Sequence, residues 1–224
     1  MEFEQVTIPA TEPETLAAWY ERFSVDADHA DTAGGSTPQV QLGETTLRMT
    51  GADTAPPAHL AVRLAVEADQ TVDWLSSRAT ILPIDGESSR WFEFLEATAI
   101  YFDDPEHNVI EGLCYATESH RNADSERVVD GLTEVGIPAP DPLALVEWLE
   151  TTVGLSAWGT PSETFAWVGT RTARFVVIPV GQTWYPTDRE AALFPLSATV
   201  IDDSAVRGRH RHPRLPYEIR IKHG

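Results

Sequence analysis

The segment VTIPATEPETLAAWYE beginning at Val6 recurs as VGIPAPDPLALVEWLE beginning at Val135, at a constant offset of 129, with eight identities in sixteen ungapped positions. A repeat of this kind marks a duplicated structural unit, so any fold for the chain must be built from copies of one supersecondary element. Val6 and Ile8 alternate with period two, as in a strand. Thr11 follows as an expected helix cap, with Glu14 three residues on to complete a capping box. In the second copy Asp141 is the expected cap and Pro142 takes the first helical position, where its missing N–H is harmless. Leu16, Trp19 and Tyr20 share one helical face, as do Leu145, Trp148 and Leu149, and Gly154 is placed to stop the second helix.

Two weaker copies complete the series. HLAVRLAV from His59 alternates as a strand, Asp69 is the expected cap, and Val72, Trp74 and Leu75 supply an apolar face. PLSATVIDDSAV from Pro195 is the poorest copy and leaves room only for a short helix. Hairpin-like stretches follow each unit at 40–50, 91–115 and 165–180, with DDPEHN as a turn in the second. The order is therefore β-α-β-β(-β) four times over. The polar stretch around 119–129 is the expected linker between two pairs.

Composition narrows the class. The 224 residues carry 35 Asp+Glu against 16 Lys+Arg, a formal charge of −19, which repels phosphate backbones and makes nucleic acid a poor partner. Residues 1–118 hold 5 basic and 22 acidic side chains, and 119–224 hold 11 and 13, an asymmetry that suggests two units. Lys222 is the single lysine, and a lysine-poor acidic surface suits a salt-in halophile. Apolar runs such as Phe175–Val180 are far shorter than the roughly 20 residues of a membrane span. With no secretory leader pattern at Met1, a cytoplasmic protein without membrane partners is expected. The lone Cys114 excludes an internal disulfide and any multi-thiolate zinc site.

Four such units, AHLAVRL opening the second and YFDDPEHNVIEG closing it, resemble the vicinal oxygen chelate superfamily: glyoxalase I, fosfomycin-resistance proteins, methylmalonyl-CoA epimerase and extradiol dioxygenases. The resemblance spans nearly the whole chain and thins after 190. It implies an α+β fold of two glyoxalase-like domains, each a half-open barrel of paired modules: 1–118 (modules 1–55 and 56–118) and a degenerate 130–224. It also implies a divalent metal in the cup, with His59 and Glu111 at ligand positions and Gln5 as a third ligand. His107 replaces the glycine usual in the closing turn, where a left-handed backbone is needed. An imidazole, a carboxylate and an amide oxygen suit Fe, Mn, Ni or Zn, whose open positions polarise a chelating oxygen substrate.

Sequential pairing of modules is the favoured arrangement. Pairing across the duplication is the alternative, and it would bring Glu134 to His59 and Glu111 in place of Gln5. In the second half Pro195 stands where His59 stands in the first, which weakens a dioxygenase assignment. The expected activity is lyase, isomerase or dioxygenase chemistry on a small oxygen-chelating molecule. The competing class is a non-catalytic sequestration protein of the same fold, and the fold also admits a homodimer.

Tyr101 and Trp184 are candidate substrate contacts, although strand parity leaves the face of Tyr101 open. The run RGRHRHPR at 207–214 is read as a solvated loop, or one paired with the acidic first half, in preference to an anion-binding loop. No GxGxxG, P-loop, GxSxG or HExxH pattern occurs.

Overall fold

The computed structural model describes residues 1–23, 37–66, 68–117 and 128–224. The first unit contains β1 (Glu2–Ala10), α1 (Pro13–Tyr20), β2 (Gln39–Leu42) and β3 (Thr45–Gly51). The second contains β4 (His59–Leu64), α2 (Ala68–Ser76), β5 (Thr80–Leu82), β6 (Arg90–Phe92), β7 (Ala97–Asp103) and β8 (Val109–Tyr115). The third contains β9 (Val129–Gly136), α3 (Pro142–Trp148), β10 (Ala157–Trp158), β11 (Ala166–Gly169) and β12 (Arg174–Val177). The fourth has β13 (Leu196–Ile201), β14 (Gly208–Arg211) and β15 (Tyr217–Lys222), without a helix. Most of the expected 119–129 linker lies outside the described residues.

Units pair across the duplication, which corrects the expected division into 1–118 and 130–224. One open sheet runs β14-β15-β13-β1-β3-β2 and joins the first unit to the fourth. The other runs β10-β11-β12-β9-β4-β8-β7-β5, with β6 on β7, and joins the second to the third. Each sheet is sewn by an antiparallel seam between the first strands of its two units, β1 on β13 and β4 on β9. The charge asymmetry about residue 118 is therefore no guide to architecture, because the larger sheet straddles that point.

Strand alternation sorts the side chains into two sets. Leu60, Val62 and Leu64 of β4 join Val6, Ile8, Leu47, Val135, Phe175 and Val177 in the main core between the sheets, with Leu16, Leu75 and Leu145 from the helices. The opposite face of the larger sheet holds a second cluster that includes Ala61, Ala99, Tyr101, Val109, Leu113, Tyr115, Val176 and Ile178. A bulge in β9 breaks the register after Glu134, with Ala61 opposite Glu134 and Val62 opposite Leu132. That extra residue leaves both Thr133 and Glu134 on the second face, a frequent use of bulges beside functional sites.

Local signals at the third unit hold. Asp141 accepts from the Ala144 N–H, Pro142 opens α3, and Gly154 (φ 83°) closes the π-helical turn after it. The first unit differs. Thr11 and Glu14 form no capping box; the Thr11 and Glu12 N–H groups and the Thr11 hydroxyl all donate to the Glu106 carboxylate of the β7–β8 turn. A distant carboxylate thus serves the helix N-terminus, and Thr11 is free to join it. Asp69 lies inside the first turn of α2 and is not its cap. The 207–214 run is a loop only at its ends: Gly208–Arg211 form β14, and Arg209 and Arg211 both donate at 2.5 Å to Glu218 across the β14–β15 pair. No helix among the described residues is long and apolar enough to cross a membrane.

The β7–β8 turn holds as expected, with His107 in the left-handed region at φ 62°. Buried Asp104 organises it: its carboxylate accepts from the Glu106 and Asn108 N–H groups (both 2.9 Å), the Asn108 amide (2.7 Å) and the Tyr20 hydroxyl of α1 (2.9 Å). Removing one group that satisfies four donors, two of them on side chains of different units, leaves several buried donors unpaired. Asp104→Ala is expected to lower unfolding free energy by about 2–4 kcal/mol and Tyr20→Phe by about 1 kcal/mol, as measured by denaturant unfolding with unchanged m.

Candidate functional site

His59 opens β4, Glu111 sits in β8 and Glu134 in β9, so three neighbouring strands deliver the three side chains to one face. Cross-strand register explains their meeting: Ala61, two residues beyond His59 on the same face, lies opposite both Glu111 and Glu134. All three residues are buried, and one donor atom from each lies within 4.8 Å of the others. His59 Nε2 is 3.4 Å from Glu134 Oε2 and 3.6 Å from Glu111 Oε2.

Each of the three is held from behind. His59 Nδ1 is 3.2 Å from the Val109 carbonyl oxygen, which only accepts, so Nδ1 carries the proton and Nε2 is turned to the carboxylates. The Tyr101 hydroxyl donates to Glu111 Oε1 at 2.8 Å, leaving Oε2 aimed inward. Arg174 donates to Glu134 Oε1, which leaves Oε2 of that residue inward too. Arg174 is itself fully buried; it also donates to the Tyr115 hydroxyl at 3.2 Å and to the Arg171 carbonyl, and lies about 5 Å from the Trp158 and Trp167 rings.

These neighbours set the protonation balance. Burial, reinforced by the charge of Glu134, pushes the Glu111 carboxyl up to about 7. Burial also works against the charge of Glu134, but the Arg174 guanidinium and His59 overcome it and hold that carboxyl below its ordinary value. For His59 burial favours the neutral ring, yet the Glu134 hydrogen bond and both carboxylates raise its pKa. Burial and Glu111 push the Tyr101 hydroxyl well above its ordinary value, so it stays a donor.

The cluster forms the floor of a cavity of about 330 Å³. Its walls are Phe92, Phe94, Phe165, Trp167, Trp184 and Tyr185, with Val176 and Ile178 beside the floor. Among the described residues no lysine or arginine lines it, and Glu93 is the one charged side chain away from the floor. The Trp184 ring stacks on His59 (5.4 Å between centroids, 24° between planes), and its Nε1–H donates to the Pro57 carbonyl at 2.9 Å. The segment carrying Trp184 is clamped to β7 by a two-pronged Arg189–Asp103 ion pair.

The expected site is thus corrected at one position. Gln5 lies on β1 in the smaller sheet, opposite Thr199 and Thr46, and takes no part in the cluster. Glu134 stands in its place because β4 pairs with β9. Tyr101 and Trp184 both line the cavity, and β7–β8 pairing puts Tyr101 opposite Glu111. Arg174 was not singled out from sequence; the available sign was a lone cation opening the apolar run RFVVIPV.

No protein-family model matches the chain, and no curated protein matches it in sequence. Solved structures do resemble it. A "putative dioxygenase" from Bacillus subtilis superposes with a TM-score of 0.53 at 12% identity, covering 99% of this chain and 85% of that one. A glyoxalase I variant from Zea mays gives 0.50 at 12% identity, covering 98% and 92%. The chain shares the fold of these two structures along nearly its whole length.

Gly136, where a Cβ would lie 2.6 Å from the Trp184 ring and 3.1 Å from the His59 Cβ, keeps the Trp184–His59 stack possible. Gly136→Ala is expected to destabilise the protein by about 1–3 kcal/mol in denaturant unfolding, and much less in a Trp184→Ala background.

Proposed function

We propose that the chain is a metal-dependent enzyme of the vicinal-oxygen-chelate kind that holds one divalent ion on His59, Glu111 and Glu134. Its substrate is a small organic molecule that chelates through neighbouring oxygens. The observation that carries this proposal is the orientation of the three side chains: each has one polar atom fixed by an outer partner and the other turned toward the other two members of the cluster. Metal-binding histidines and carboxylates are held in this way by their second shell.

The spacing fits as well. Two donors each about 2.1 Å from an ion lie roughly 3.0 Å apart at right angles and roughly 3.4 Å apart at the tetrahedral angle. The 3.4 Å separation here equals the tetrahedral value and the 3.6 Å one exceeds it by about 0.2 Å, a small inward shift of one side chain. One imidazole and two carboxylates suit Fe(II), Mn(II), Ni(II) or Zn(II). When bound, such an ion polarises a coordinated oxygen and acidifies what it holds.

The chain's own residues supply the rest. Val176 pairs with Gly136, two residues beyond Glu134, just as Glu111 pairs with Ala61, two beyond His59. An apolar side chain thus fills the place corresponding to Glu111, and that flank of the floor is left to the substrate. Tyr101 keeps Glu111 in position by donating to it. The aromatic walls exclude water and take the apolar body of the ligand. Lyase, isomerase and dioxygenase chemistry all begin from such a chelate, and the resemblance to a glyoxalase and a dioxygenase fits that shared first step. Metal-free sequestration is not favoured, because it leaves the buried cluster without a task.

Protein purified without a histidine tag is expected to contain about one divalent ion per chain by elemental analysis. His59→Ala and Glu134→Ala are expected to weaken retention by about 100-fold or more, whereas Gln5→Ala retains the ion. Metal-free wild type that takes up none of the four ions overturns the proposal.

The pH dependence has a definite sign. Ligation requires unprotonated Glu111 and His59, whose pKa values are raised, so the empty site holds a proton near and below pH 7. Metal affinity is expected to fall as pH drops through about 7, with proton release per ion that calorimetry in buffers of different ionisation enthalpy detects.

A further inference from the structure

We propose that Arg174 is a positioning residue that sets the charge of this site, weakening metal retention and strengthening capture of a ligand that chelates as a monoanion with an uncharged, apolar body. This rests on the metal-holding role of His59, Glu111 and Glu134.

The first support is charge. A divalent ion on a neutral imidazole and two carboxylates makes a neutral centre. Arg174 keeps its proton under all ordinary conditions, so its presence raises the loaded floor to a formal +1. Among the described residues its partners are one carboxylate oxygen, a tyrosine hydroxyl and a backbone carbonyl, and its Nε has no hydrogen-bond partner there. Once Glu134 Oε2 serves the ion, the guanidinium is compensated only in part. A ligand arriving with one negative charge restores neutrality in a setting where screening by water is weak.

The second support is position. Arg174 pairs with Glu134 on β12–β9 as Val109 pairs with His59 on β8–β4. In the half that carries His59 and Glu111, a valine fills this place, so the strand architecture does not require a cation there. Burying an arginine is costly unless it is fully paired. Its cost here is offset by Glu134, by Tyr115 and by the Trp158 and Trp167 faces.

The third support is the cavity wall. Among the described residues Glu93 is the only charge above the floor and no cation lines the walls, so a second anionic group on the ligand finds no partner there. The geometry therefore disfavours ligands with anionic tails and favours apolar bodies whose one negative charge lies at the chelating end.

The test uses Co(II) binding to metal-free protein, followed by visible absorption, and calorimetry of two probes on the Co(II)-loaded protein: benzohydroxamate, a monoanionic oxygen chelator with an aryl body, and neutral imidazole. Arg174→Met is expected to bind Co(II) at least tenfold more tightly and benzohydroxamate at least tenfold more weakly, with imidazole within twofold of wild type. Arg174→Lys, which keeps the charge, returns both values toward wild type. If the methionine variant does not fold, Arg174→Gln serves, with the same two opposed shifts expected. Loss of Co(II), benzohydroxamate and imidazole affinity together in either neutral variant shows that Arg174 only supports the structure of Glu134 and overturns the proposal. Wild-type protein that binds no Co(II) overturns the metal site itself, and with it this inference.

Discussion

The antiparallel seam between β4 and β9 is the contact on which the rest depends. It places the first strands of the second and third units side by side. Only this pairing brings His59 and Glu134 together, and β8, parallel to β4 on its other side, adds Glu111. The same seam buries two carboxylates within a few ångströms of each other. Such a pair is tolerable only where cations answer it, and His59 and Arg174 do so from opposite ends of the cluster. The main core between the sheets would survive many repackings, but the ionic cluster fixes one register, because a one-residue slip of either strand would turn a charge into that core.

What could be read from the sequence was what short-range chemistry determines. The repeat, the alternation at Val6–Ile8 and His59–Leu64, the Asp141–Pro142 start, the Gly154 stop and the hairpins at 40–50, 91–115 and 165–180 all depend on neighbours within a few residues. His59 and Glu111 were reached through a likeness of motif. The pairing of units was not legible in the same way. Sequential and crossed arrangements satisfy the same hydrophobic patterns, and only long-range contacts distinguish them. Gln5 and Glu134 are equivalent within the repeat, so choosing between them required knowing which seam β4 joins. Likewise Thr11 looked like a cap because nothing nearby revealed Glu106, some 95 residues away. The 207–214 run looked like a loop because its partner, Glu218, sits on the next strand and takes both arginines that face it.

The two sheets share a blueprint yet present different faces to the outside. On the smaller sheet the positions flanking the β1–β13 seam carry Gln5, Thr7, Ser197 and Thr199, and Glu218 stands opposite Ser197. Glu218 is only partly buried, and Arg209 and Arg211 already occupy both of its oxygens. In water such pairs contribute little and leave no free donor aimed at a common point. The larger sheet differs less in having acidic residues than in keeping them dry. The segment after β12 folds back over its face, lays Trp184 on His59, and is fastened by Arg189 to Asp103. Dryness is what makes the arrangement of charges consequential: it raises the Glu111 pKa, makes the Arg174 charge felt across the floor, and turns three side chains into a potential ligand set. Between duplicated units of one design, the functional difference follows from which face is covered.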